Sequence, residues 1–241
     1  MGDTPVGCRP VSSSAPTPVP SLVIAVDGTS GSGKSSTSRG VAERLGLRYL
    51  DTGAMFRAIT WWMLQHGVDV HDAAAVAERV DEAVIVSGTD PASPTITVDG
   101  TDVAVSIRRD DVNAAVSPVS AVPEVRTRLL RLQREVIAAA ATGIVVEGRD
   151  IGSVVVPDAP VKVYLSADPA ARAARRTAEE GSADVEATRA SLLARDRIDS
   201  GRATAPLTRA DGAVHIDTTD HTLAEVIEMV VALVEDAGAR T

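Results

Sequence analysis

The sequence is short of the residues that build disulfides, coat anionic polymers or cross membranes. Its 241 residues contain a single cysteine, Cys8, so neither an internal disulfide framework nor a cysteine-based zinc site is available. Two lysines stand against 22 arginines, and the formal net charge of -9 argues against broad attraction to nucleic acid or to an anionic membrane. No apolar run approaches the ~18 residues that a spanning helix needs. The N-terminus also lacks the basic start and apolar block of a secretion signal. A reducing cytoplasm, with neither membrane nor nucleic acid as partner, is the resulting expectation. What remains, 44% hydrophobic and 24% charged residues, is ordinary for a globular protein of one domain with insertions.

One stretch organises the rest. The apolar run Val23–Val26 leads into Asp27 and then Gly28-Thr29-Ser30-Gly31-Ser32-Gly33-Lys34-Ser35-Ser36. This is the G-x-x-x-x-G-K-[ST] pattern, set between a predicted strand and a predicted helix, where it has physical meaning. The glycines allow backbone conformations that a Cβ obstructs, so that successive N–H groups turn inward toward a phosphate. Lys34 reaches the β- and γ-phosphates, the Ser35 hydroxyl ligates Mg²⁺, and the following helix adds its positive end. A flexible Gly/Ser turn is the plain alternative. The pattern favours a nucleoside triphosphate site.

Along the chain, residues 1–20 are rich in proline and serine and read as a disordered leader. A strand at Leu22–Val26 precedes a helix from Lys34 to Leu45, a strand at Arg48–Leu50, and a helix opened by Asp51-Thr52-Gly53. Between His71 and Arg109 the texture changes. A helix at Ala73–Ala83 precedes segments at Val84–Val86, Thr95–Val98 and Val103–Val105, and the Asp99-Gly100 turn reads as a β-hairpin in an antiparallel insertion. Pro123 opens a long amphipathic helix that ends at Gly143. Strands at Ile144–Val146 and Val161–Leu165, a helix capped by Asp168, a strand at Val214–Asp217 and a Thr222/Glu225 capping box complete the pattern. The predicted fold is an α/β P-loop NTPase three-layer sandwich around a five-stranded parallel sheet. Its core covers 21–60, 123–171 and 210–241; the insertion covers 61–122 and a short helical lid 172–209.

Two polar clusters point to a second substrate. Glu147-Gly148-Arg149-Asp150 ends a buried strand, whose carboxyl end faces the triphosphate crevice in a parallel sheet. Glu147 is placed to hold Mg²⁺ directly or through water, and Arg149 to clamp a phosphate. In the second cluster, Arg195, Asp199 and Arg202 share a helical face. They are either a solvated salt-bridged surface or a lid that excludes water from the transferring phosphoryl group.

Together with Asp51–Arg57, Pro157–Val163 and Ala205-Pro206-Leu207, these motifs resemble the bacterial cytidylate kinases, in the family's order from Leu22 onward. The resemblance implies transfer of the γ-phosphoryl of ATP to CMP or dCMP with Mg²⁺, and an insertion that binds the monophosphate; separately, a monomer is the expectation. It places Thr52, Arg57 and Arg149 on the acceptor's phosphate, Ser117, Arg126 and Asp150 around cytosine, and Asp199 on the sugar hydroxyls. Arg195 and Arg202 complete the closed site. A carboxylate suits the N4 amine of cytosine and opposes the carbonyl of uracil. The chain departs from the family pattern at Glu147 (aspartate expected), Thr29 (proline), Thr52 (serine) and Phe56 (tyrosine). The alternatives are another small-molecule P-loop kinase, acting on UMP, shikimate or a cofactor precursor, and a nucleotide switch. Neither lysine follows an asparagine, so the guanine-selecting Asn-Lys-x-Asp motif of such a switch is missing.

Overall fold

The computed structural model describes residues 22–180, 184–202 and 205–238, so the proposed leader lies outside the described residues. Five strands form one sheet in the order β2-β6-β1-β7-β8: β1 (Val23–Gly28), β2 (Arg48–Asp51), β6 (Ile144–Gly148), β7 (Val161–Ser166) and β8 (Val214–Asp217). All neighbouring pairs are parallel. The central strands β1 and β6 are buried along their whole length. That is why they read as unbroken apolar runs rather than alternating ones. Apolar side chains on the two faces form two separate clusters. Val23, Ala25, Leu50, Ile144 and Val146 pack with α2 (Thr52–Gln65) and α5 (Pro123–Ala138), and Ile24, Val26, Val145 and Val163 pack with α1 (Lys34–Leu45) and α8 (Leu223–Gly238). Helices therefore cover both faces, as the three-layer prediction requires.

The expected local signals are in place. Asp51 accepts a hydrogen bond from Ala54 N at 2.9 Å and starts α2. Thr222 and Glu225 form the reciprocal capping box of α8, with Thr222 N donating to the carboxylate at 2.8 Å and Glu225 N donating to the hydroxyl at 3.3 Å. The second, three-stranded antiparallel sheet consists of β3 (Ile85–Ser87), β4 (Ile96–Val98) and β5 (Thr101–Asp102). The turn between β4 and β5 is Asp99-Gly100, both with positive φ (51° and 78°). Asp99 also ties this sheet to α2: its carboxylate accepts from Trp62 Nε1 and from Val84 N, each at 2.8 Å. Ile85, Ile96 and Val98 belong to the same apolar cluster as Val23 and Val146, and α2 runs unbroken through position 60.

Two local expectations need correction, and one further helix is present. The third strand of the insertion is Thr101–Asp102, not Val103–Val105: Val103 turns into the core, and a 3-10 turn follows at Ser106–Arg108. The helix α3 (Ala73–Arg79) is shorter than 73–83. A twelve-residue helix, α4 (Asp110–Ala121), forms where no element is assigned from the sequence, and it carries Pro118 inside it. Packing of Val112, Ala115, Val116 and Val119 outweighs that interruption. The segment 172–209 holds most of α6 (Pro169–Glu180) and all of α7 (Val185–Gly201), which pack on each other.

Candidate active site

The phosphate loop runs from the end of β1 into α1, and its geometry is set by two glycines. A Cβ on Gly28 would overlap the Leu165 carbonyl oxygen of the adjacent strand, and Gly33 caps α1 at φ 87°. Gly33 carries no side-chain cap for the helix, so the first N–H groups of α1, from Lys34 to Ser36, retain no intrahelical acceptor. They face a cavity of about 490 Å³ at the carboxyl ends of β1, β2 and β6. Lys34 is half-buried there, its Nζ donating to the Thr29 carbonyl at 2.6 Å. Burial, and next the Arg149 guanidinium, push its pKa down. An anion placed at the loop acts against both effects, because an opposite charge favours the ammonium form.

Of the residues expected on the triphosphate, Ser30, Gly31, Gly33, Lys34, Ser35 and Ser36 line the cavity. Gly28, Thr29 and Ser32 do not; they shape the loop from behind. The Gly28 carbonyl accepts from Arg149 Nη1 at 2.5 Å, and the Thr29 carbonyl accepts from Ser32 Oγ at 3.0 Å. Every residue expected on the second substrate lines the same cavity: Thr52, Arg57, Ser117, Arg126, Arg149, Asp150, Arg195, Asp199 and Arg202. They come from α2, α4, α5, the turn after β6, and α7 with its end.

The polar details divide these residues by task. Asp150 pairs with Arg126 Nη2, and Arg126 Nη1 donates to the Ser120 carbonyl at 3.1 Å. Phe56 lies 5.4 Å from that guanidinium, so the aromatic face remains useful without the tyrosine hydroxyl. Burial raises the Asp150 pKa, and Arg126 acts against it. Asp199 receives Arg149 Nε at 3.1 Å, with Arg202 Nη2 at 3.8 Å. The Thr52 hydroxyl donates to the Glu147 carbonyl at 2.7 Å, which leaves its N–H in the first turn of α2 for an anion.

Glu147 and Ser35 meet where a cation would bridge loop and strand. Ser35 Oγ donates to Glu147 Oε2 at 3.1 Å, and Tyr49 Oη donates to Oε1. Burial, then Asp51, push the Glu147 pKa up. The donors are hard oxygens, and no group of three or more His, Cys, Asp or Glu side chains able to hold a metal exists among the described residues. That set fits Mg²⁺, which takes one or two protein oxygens and the rest from substrate phosphates and water.

Sequence reasoning missed Arg39, Arg108, Ser120 and Arg176, which also line the cavity. None lies in a recognisable motif; Arg108, for example, ends the 3-10 turn just before α4. With them the cavity holds eight arginines and one lysine against four carboxylates, in a chain whose net charge is -9. Burial, then Arg57 and Arg149, push Arg195 down to about 9, and burial lowers Arg57. The Nε atoms of both Arg57 and Arg195 are buried without a hydrogen-bond partner. Crowded, incompletely bonded guanidinium groups are stable only opposite anions.

A phosphate loop on a five-stranded parallel sheet, facing a second, arginine-lined half-cavity, defines a P-loop kinase of a phosphorylated small molecule. Comparison with known proteins narrows this. The cytidylate kinase family model matches residues 24–236. The chain is 59% identical to a cytidylate kinase of Streptomyces avermitilis, over 92% of this chain and 96% of that protein. It is 60% identical to one of Streptomyces griseus subsp. griseus, over 89% and 93% of the two chains. The chain belongs to the cytidylate kinase family.

Proposed function

We propose that the cavity transfers the γ-phosphoryl group of ATP to CMP or dCMP, giving ADP and CDP or dCDP. The observation that carries this is the paired architecture of one cavity: main-chain N–H groups and Lys34 at one end, and arginines with the Arg126–Asp150 pair at the other. In-line phosphoryl transfer asks little covalent chemistry of a protein and much alignment and charge neutralisation. Lys34 and the loop amides hold the triphosphate. Arg57 and Arg149 hold the acceptor phosphate, while Arg195 and Arg202 neutralise charge that spreads over the transferring oxygens. Ser35 and Glu147 would hold Mg²⁺, whose chemistry there is to offset phosphate charge.

Base choice falls to Ser117, Arg126 and Asp150. Arg126 engages Asp150 through Oδ2, so Oδ1 can accept from the N4 amine of cytosine. Uracil turns a carbonyl toward that carboxylate, and a buried polar group left unpaired costs ~1–3 kcal/mol. Asp199 keeps lone pairs for a sugar hydroxyl beside its arginines. The residues needed come from one chain, which supports a monomer. No helix among the described residues is long and apolar enough to cross a membrane, and the reading places the enzyme in the cytoplasm.

The test is ATP consumption measured against a panel of nucleoside monophosphates. CMP and dCMP should exceed UMP in kcat/KM by about 5- to 150-fold, the range set by one unpaired buried group. Equal use of UMP, or preference for a purine nucleotide, overturns the assignment.

A further inference from the structure

The helix α7 meets the phosphate loop through contacts that phosphoryl transfer alone does not explain. Leu192, Asp196 and Asp199 recur at i, i+4 and i+7 on one face of this helix. Leu192 packs at the loop tip, where its Cδ1 would lie 3.5 Å from a Cβ on Gly31. Asp199 reaches Arg149 across the cavity. Between them, Asp196 Oδ1 accepts from the main-chain N–H of Ser30 at 3.1 Å. Its other oxygen pairs with Arg172 Nη1, and that same nitrogen donates to the Ser30 carbonyl at 2.9 Å. The Ser30 main chain is therefore held on both flanks, its N–H by α7 and its carbonyl by α6.

The side chains of Arg172 and Asp196 are only 5% and 14% exposed, so this pair is not a solvated surface bridge. Arg172 also bears on Gly31: its Cβ and carbonyl oxygen would each lie 3.2 Å from a Cβ there. The neighbouring residue Arg195 lines the cavity beside Arg57 and Arg149. A one-residue step along a helix turns about 100°, so fixing Asp196 on the loop also fixes the direction in which Arg195 enters the cavity.

We propose that Asp196, held by Arg172, is a positioning residue that latches α7 to the phosphate loop and thereby sets where Arg195 meets the transferring phosphoryl group. The latch joins the part of the molecule that holds the donor to the helix that supplies a charge-neutralising arginine. Losing it frees α7 to tilt away, misplaces Arg195 and lets water reach the donor. The kinetic half of this proposal rests on the phosphoryl-transfer reading; the docking half does not.

The experiment uses the full-length protein with Asp196→Ala and Asp196→Asn. Three quantities are read: transfer to CMP, ATP hydrolysis without an acceptor, and backbone hydrogen exchange across residues 185–201 compared with α1. Asp196→Ala is expected to lower kcat for transfer at least tenfold and to raise the ratio of hydrolysis to transfer at least tenfold. Exchange in α7 should accelerate while exchange in α1 does not. Asparagine can still accept from Ser30 N–H but loses the charge opposite Arg172, so it should fall between alanine and wild type. Transfer and hydrolysis within twofold of wild type in both variants would overturn the proposal. So would reduced transfer with unchanged exchange in α7, because the effect would then not pass through the helix. If the wild-type protein fails to phosphorylate CMP, the substrate assignment falls, and the exchange comparison alone decides the latch: acceleration confined to α7 upholds it, and none overturns it.

Discussion

The two ends of the cavity solve one problem, holding a phosphate, with different materials. The donor end is a continuous stretch, Gly28 to Ser36, that offers Lys34 and the unpaired main-chain N–H groups at the start of α1, set in place by the Gly33 backbone angles. The acceptor end is assembled from side chains on α2, α4, α5, α7 and the turn after β6. A main-chain site grips any phosphate and discriminates little. A side-chain site selects its ligand, at the cost of burying several guanidinium groups that must be held apart and answered by carboxylates. On the proposed reading, generic triphosphate binding and base selection reside in separable parts of one cavity.

Substitutions can break that comparison. The largest effect should come from Lys34→Ala, which removes the one side-chain charge of the donor end. Turnover is expected to fall by about a thousandfold while the melting transition persists; a rate within tenfold of wild type would deny the loop its role. Asp150→Ala should act at the other end alone. Discrimination between CMP and UMP should shrink by about 5- to 150-fold, with KM for ATP changed less than about threefold. Loss of ATP affinity in that variant would show that the ends are not separable.

A smaller effect concerns the joint between the ends. Asp27, at the end of β1, accepts from Ile151 N at 2.7 Å and Gly152 N at 2.8 Å, and so anchors the turn that carries Arg149 and Asp150. Burial pushes its pKa from 3.8 to about 6, against those two hydrogen bonds. The folded state therefore holds a proton that the unfolded chain releases. Through this group stability is greatest below pH 4 and is lost as pH rises to about 6, by about 3 kcal/mol. Stability measured by urea unfolding from pH 4 to 6.5 should fall less steeply, or rise more, in Asp27→Asn than in wild type. Equal slopes would remove Asp27 from the titration. The smallest effect is expected for removal of residues 1–20, which should leave the melting temperature within about 2 °C; a larger drop would mean that the leader packs on the core.

The contrast between the ends also explains what could be read in advance. Local chemistry is legible: Gly28 to Ser35 acts through neighbours in sequence, as do the Asp51 cap, the Thr222/Glu225 box and the Asp99-Gly100 turn. Arg108, Arg176 and Tyr49 are not legible, because each acts only where distant segments meet: the arginines line the cavity, and Tyr49 is bonded to Glu147, 98 positions away. Helix α4 stayed hidden for a related reason. Pro118 carries a local penalty, and only burial of the surrounding valines and alanine repays it. Sequence alone also left open whether Arg195, Asp199 and Arg202 formed a surface ion-pair face or part of the site. The fold buries Asp199 against Arg149 and turns all three residues into the cavity.

By itself, the sequence determined the parallel sheet, the phosphate loop with its lysine and hydroxyl, and the kinship that points to a cytidine nucleotide. These depend on strand hydrophobicity, glycine conformation and contiguous motifs, all of which act over a few residues. Only the tertiary structure decided that nine cationic groups converge on one cavity, that Glu147 is shared between Tyr49 and Ser35, and that Asp196 grips the loop at Ser30. Charges distant in sequence become neighbours, and lose the water that would screen them, only when the sheet and its helices close around them.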